Sequence, residues 1–166
     1  PEVDDHSAAI AGALALLRRV PLVRSEKTIE AKRPGATADG VVGLWYGKGP
    51  GVDRSGDVFK HGNFAGSSKL GGVLLFADDD HVAKSSTVPH QSEYAFVDAN
   101  IPVLNPAGVQ DTLDFGLLGI ALSRFSGCWV GFKTTAEIMD STASVNADPD
   151  AVNITIPDFD MPAGGL

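Results

Sequence analysis

The chain has a single cysteine, Cys128, among its 166 residues. One thiol excludes an internal disulfide framework and any cysteine-ligated iron–sulfur cluster held by this chain alone. Cys128 opens the apolar run Cys128-Trp-Val-Gly-Phe132 and reads as a core thiol rather than a nucleophile. Basic residues are also scarce. Thirteen Lys and Arg against 21 Asp and Glu leave a formal charge of −8. A general nucleic-acid surface needs a basic face, so that class is excluded. The acidic balance otherwise favours solubility. No apolar run approaches the ~18–20 residues that span a membrane, and no secretory pattern is visible. The chain opens on Pro1 rather than Met, as expected of an internal piece of something longer.

Glycine is plentiful, and it is concentrated. Gly43, Gly47, Gly49, Gly51, Gly56, Gly62 and Gly66 fall in one stretch, with Lys48, Arg54, Lys60 and His61 interleaved and Trp45 and Tyr46 beside them. Glycine costs backbone entropy, so this density serves conformation or close approach. The stretch reads as a loop that brings backbone near a ligand or a partner chain, with cations able to face an anion. The plain alternative is a glycine-rich surface loop without a ligand. It is not a Walker loop, because Gly47-Lys48 is followed by Gly49, not Ser or Thr. Its glycine spacing is not a dinucleotide fingerprint either.

The length suits one domain with a real core. Ala8 to Leu17 is Ala- and Leu-rich, preceded by acids and followed by Arg18-Arg19, which predicts a helix. Residues 41–45 predict a buried strand. Gly71 to Ala77 is a continuous apolar run, as in a strand covered on both faces. It leads into a polar loop, Asp78 to Glu93, and such strand ends bind ligands in open α/β sheets. A short helix over 94–99, a strand at Val103–Leu104, a long helix over 110–124 and a strand over 129–132 follow. Val152 to Ile156 alternates like an edge strand. The fold class expected is therefore α/β, with a mostly parallel central sheet and helices on both faces. Residues 1–156 form the domain and 157–166 an extended linker.

Two chemical readings of the polar loop compete. Asp78, Asp79, Asp80 and His81, with His90 and Glu93, suggest a hard-metal site and a small metal-dependent hydrolase. Adjacent carboxylates on an extended chain point in different directions, which favours an ordinary solvated loop. Ser85, Ser86 and Thr87 with His81 or His90 suggest a nucleophile and base, but no nucleophile elbow is present.

Several ordered runs carry a resemblance: Leu44 to Asp57, Lys60 to Asn63, Ala65 to Ser67, Asp79 to His81, Lys84 to Thr87, His90 to Glu93, Ile101 to Leu104, Val109-Gln110, Leu113 to Gly116, Leu122 to Arg124 and Pro162 to Leu166. From about Asp39 onward the chain resembles indolepyruvate ferredoxin oxidoreductase, the fused large form, in the pyrimidine-binding domain of its thiamine diphosphate site. The resemblance implies decarboxylation of aryl 2-oxo acids, electron transfer through iron–sulfur clusters to ferredoxin, and formation of an acyl-coenzyme A. It implies a cytoplasmic oligomer. It also implies partners: a diphosphate-binding domain or subunit that holds Mg²⁺ through a Gly-Asp-Gly motif, and an iron–sulfur domain. This chain has neither that motif nor the cluster cysteines, so by itself it is expected to be inactive.

Gly47, Lys48, Arg54, His61 and Asn63 are the cofactor contacts this resemblance implies, and His81, Lys84, Ser85 and Glu93 the substrate or partner-domain contacts. The family's activating Glu precedes an Ala-rich helix. The equivalent place here reads Asp4-Asp-His-Ser-Ala-Ala9, with Asp5 as the nearest candidate and Asp4 the second. Asp is one methylene shorter than Glu. The plain reading of both is charge at a helix N-terminus. A non-catalytic assembly domain, its glycine stretch packed on a sister subunit, remains the other class.

Overall fold

The computed structural model describes residues 42–148, 150–158 and 160. The helix predicted at Ala8–Leu17, the candidate Asp5 and its neighbour Asp4 lie outside them. Four strands make one sheet: β1 (Val42–Lys48), β2 (Gly72–Asp79), β3 (Val103–Leu104) and β4 (Val130–Thr135). Their order is β1-β2-β4-β3 and every pairing is parallel. This is the expected α/β class. The last strand in sequence among the described residues fills a central place.

Between β1 and β2 run α1 (Gly49–Arg54) and α2 (Gly56–Ala65); α3 (Glu93–Asp98) precedes β3; α4 (Val109–Ser126) precedes β4, and the short α5 (Ala136–Met139) follows it. Strand alternation assigns the faces. Trp45, Val73, Leu75, Ala77 and Trp129 point to one side, where they pack with Val52 of α1, Phe59 of α2 and Phe96 of α3. Trp45 meets Phe59 edge to face at 4.9 Å between centroids, a geometry worth about 0.5–1.5 kcal/mol beyond burial. Leu74, Phe76, Val130 and Phe132 take the other side, where Phe76 and Phe132 stack at 4.6 Å. There α4 lies close: a Cβ built on its Gly119 would stand 2.6 Å from Leu74 and 3.2 Å from Leu104.

The glycine stretch is not the loop its composition predicts. It forms the end of β1 and two helices. Val52, Ser55, Phe59 and Gly62 recur at helical spacing and are buried, and Pro50 sits in the first turn of α1, where its missing N–H costs nothing. The periodicity was masked by the glycines, which serve close approach to the chain's own side chains. A Cβ on Gly62 would stand 2.2 Å from the buried Trp129 ring, and one on Gly49 would stand 2.0 Å from the His90 ring. The other correction is Val152–Ile156, which is not a strand. Its alternation has no partner edge among the described residues.

Candidate functional site at the carboxyl edge

All four strands point the same way, so the sheet has a carboxyl edge at Lys48, Asp79 and Thr135 and an amino edge at Val42, Gly72 and Val130. The carboxyl edge is where open α/β sheets take ligands. Asp79 ends β2 on the α1–α3 face. Its side chain is 0% exposed. One oxygen accepts the Ser92 backbone N–H at 3.1 Å and lies 3.7 Å from Lys133 Nζ. The other lies 3.8 Å from His90 Nδ1. Lys133, two residues from the end of β4, also meets Glu93 at 3.2 Å. His90 Nε2 meets the Asp53 carboxylate at 3.0 Å. Asp79, His90, Lys133 and Glu93 thus form one charged cluster, with Asp53 at its rim.

The loop from Asp80 to Ser92 is folded over this cluster by its own hydrogen bonds. The Asp80 carboxylate accepts the N–H of Ser85 at 2.7 Å and of Lys84 at 2.9 Å. Lys48 Nζ donates to Ser85 O at 3.1 Å. Lys84 Nζ stands 4.0 Å from Glu137. Ala83 holds φ 55° inside the loop, a left-handed conformation that costs a residue with a Cβ about 1–2 kcal/mol. Four buried side-chain atoms here have no hydrogen-bond partner among the described residues: Asp79 Oδ1, Ser86 Oγ, His90 Nδ1 and Ser92 Oγ. Buried polar atoms are nearly always paired. Their concentration singles this edge out.

Charge at the edge follows from these contacts. Hydrogen bonds from the Ser85 and Lys84 backbone hold the Asp80 carboxyl below its ordinary value. The Lys133 ammonium holds Glu93 below its own, with Gln91 and the charge of His81 adding. Asp78, on the opposite face, is raised by burial against a weaker opposing bond from Thr134.

Lys48, Lys84, Ser85, His81 and Glu93 are gathered at this edge, as the polar-loop reading expects. Gly47 pairs with Ala77 in the sheet. Arg54 is exposed at the end of α1, next to Asp53. His61 and Asn63 are elsewhere. The ten residues of α2, at 1.5 Å each, carry the chain about 15 Å back. The Gly62–Gly66 segment therefore ends at the amino edge, where Ser67 N–H donates to Gly127 O at 2.7 Å. The expectation that it joins the carboxyl-edge loops is overturned, because a helix separates what a loop would have kept together.

Asn63 has a structural task there. Its amide donates to Ala99 O and Asn100 O, both at 2.9 Å, and accepts Trp129 N–H at 2.8 Å. A groove of about 570 Å³ lined by Lys60, His61, Phe64 and Asn100 opens beside it. Its charges are satisfied locally, Lys60 by Asp98 at 2.5 Å and His61 by Asp57. The carboxyl-edge cluster is the stronger candidate, because its unpaired atoms are buried.

Sequence reading missed Lys133, gave Asp79 no role beyond a metal and gave His90 only a metal or general-base role. The available signal was a lysine at the end of the buried strand Trp129-Val-Gly-Phe-Lys133. Asp78 and Asp79 point to opposite faces, and no three His, Cys, Asp or Glu side chains converge on a metal position among the described residues.

Comparisons with protein-family models, curated proteins and solved structures returned no match. What fold and site define is an open parallel α/β domain with a charged, loop-covered carboxyl edge. No helix among the described residues is long and apolar enough to cross a membrane.

Proposed function

We propose that the chain is the pyrimidine-binding half-site domain of a thiamine diphosphate-dependent 2-oxo acid ferredoxin oxidoreductase of the indolepyruvate type. The observation that carries this reading is the meeting of two family-like runs at one sheet edge. Lys48, in the Leu44–Asp57 run, donates to Ser85 in the Lys84–Thr87 run, although they are far apart in sequence. The motif resemblance supplies the family, and the parallel sheet is compatible with it.

The residues fit such a group in part. Lys48 and Lys84 put ammonium groups at the carboxyl edge, beside Ser85 and Glu137, where a facing domain could meet them. Ser86, His90 and Ser92 offer polar atoms with no hydrogen-bond partner among the described residues. His61 and Asn63 do not belong to this contact set. When bound, thiamine diphosphate supplies the electron sink for decarboxylation. The chain's own part is to orient and enclose. Asp80 fixes the loop backbone, and Lys133 holds Asp79 and Glu93 in place. Asp5, as the carboxylate facing the aminopyrimidine, is part of the proposal. Mg²⁺, iron–sulfur clusters, ferredoxin and coenzyme A belong to other domains in this reading, and the whole enzyme is cytoplasmic.

One charge-assisted hydrogen bond to the aminopyrimidine is worth about 1.5–3 kcal/mol, far short of the ~8 kcal/mol of micromolar binding. Calorimetry with thiamine diphosphate and Mg²⁺ tests the proposal, first on the chain and then with a Gly-Asp-Gly diphosphate-binding domain added. Binding only in the mixture is expected. Micromolar binding and decarboxylation by the chain alone would overturn the half-site reading, and no binding in either arm would favour the assembly domain.

A further inference from the structure

An α/β sheet of parallel strands is covered on both faces, yet one face of β1 is bare. Val42, Leu44 and Tyr46 alternate outward on the α4 side and are 47%, 58% and 82% exposed. The reason lies in where α4 sits. Its Gly119 rests between Leu74 of β2 and Leu104 of β3, and the helix packs across β2 and β4 rather than over β1. The flank carrying Ile120 and Arg124 turns toward β2, since Ile120 approaches Gly72 and Arg124 Nε donates to Gly71 O at 2.9 Å. Leu113 and Leu117 continue that flank at helical spacing and are also exposed. Together the five side chains wall a slot over β1 that is open to solvent.

We propose that this slot is the docking site of the chain's own Ala8–Leu17 segment. Three observations select that occupant over a second copy or a foreign chain. The segment is tethered: residues 18–41 lead from it into Val42, the first residue of the bare strand. A short tether of this kind gives millimolar effective concentration. Its size fits as well. Ten residues at helical rise span about 15 Å, and Val42 to Tyr46 spans about 13 Å at strand rise. Its composition is apt, because Ile10, Leu14 and Leu17 stand at i, i+4 and i+7, one apolar stripe on a helix. Alanines beside that stripe permit close approach to the sheet. The inference does not depend on the proposed function, since it uses only the bare face and the segment leading into it.

The test is cross-linking in the full 166-residue chain. Cys128→Ser removes the native thiol. Ala13→Cys then places one thiol on the segment, and Leu44→Cys places its mate on the bare strand. A short bifunctional thiol reagent such as dibromobimane is added to dilute protein. Intramolecular product at least tenfold above an Ala13→Cys/Asp98→Cys control, whose second thiol sits on α3 behind the sheet, is the expected result. Product found only between molecules would show that a second copy fills the slot and would overturn the proposal. So would product no greater than the control. Leu117→Cys in place of Leu44→Cys repeats the test from the other wall, with the same expectation, should the first variant fail to fold.

Discussion

Replacing Lys133 by Met removes the ammonium that, among the described residues, reaches the Asp79 carboxylate. The methionine keeps the length and loses the charge. Asp79 is wholly buried, and among the described residues its other polar contacts are the Ser92 N–H at 3.1 Å and the His90 ring at 3.8 Å. Breaking a buried pair on one side costs about 3–5 kcal/mol, because the surviving charge stays desolvated. That is a large share of the ~5–15 kcal/mol that holds a domain folded. At an m-value of about 2 kcal/mol per molar, the urea midpoint should fall by roughly 2 M. Trp45 and Trp129, both buried, report unfolding by fluorescence. Asp79→Asn in the Lys133→Met background removes the stranded charge while keeping an acceptor for Ser92. The double variant should recover at least half of the loss, a coupling of about 2 kcal/mol by double-mutant cycle. Glu93→Gln, at a more exposed position, should cost less than about 1 kcal/mol. If Lys133→Met shifts the midpoint by under 0.5 M, or if the two losses simply add, the ion pair does not organise this edge.

Gly62→Ala should destabilise the fold by about 1–3 kcal/mol through overpacking, since the new methyl would meet the Trp129 ring at 2.2 Å; a melting temperature equal to the parent's would refute the close-approach reading of the glycine stretch. The Asp80 loop should open in acid. Its carboxyl is lowered from the ordinary 3.8, so its contribution is fully present above that value and is lost as pH falls through the lower folded value. Glu93 acts with the same sign. Amide resonances of Lys84 and Ser85, followed by NMR from pH 6 to 2, should shift with a midpoint below 3.8. A midpoint at or above the ordinary value would mean that the carboxylate does not hold the loop.

The sheet was legible because its strands are apolar runs ending in polar loops. Val73–Phe76 and residues 129–132 needed only continuity to be seen, and α4 only its periodicity. The α1–α2 pair was not legible from composition. Glycine lowers helix propensity, and the tertiary contacts that offset this, Gly62 on Trp129 and Gly49 on His90, come from residues distant in sequence. The site divided in the same way. His81, Lys84, Ser85 and Glu93 follow a strand end and so lie together at the carboxyl edge. His61 and Asn63 were misplaced with the helix that carries them. Asp79 with Lys133 required the β2–β4 register, which no local pattern contains.

The strand order also sets a sequence of events. Among the described residues β4 is the last strand in sequence, yet it lies between β2 and β3, and β3 pairs with β4 alone. Until Val130–Thr135 is available, β2 has an open hydrogen-bonding edge and β3 has no ladder at all. Asn63, too, waits for Trp129 before its amide can close the amino edge. Closure therefore depends on contacts of long sequence separation, the kind that slows folding. A nascent chain stopped just short of residue 130 would display an apolar, unpaired strand edge, which templates aggregation. The domain is built so that its centre is completed last, and partial chains should be clients for chaperones rather than smaller folded units.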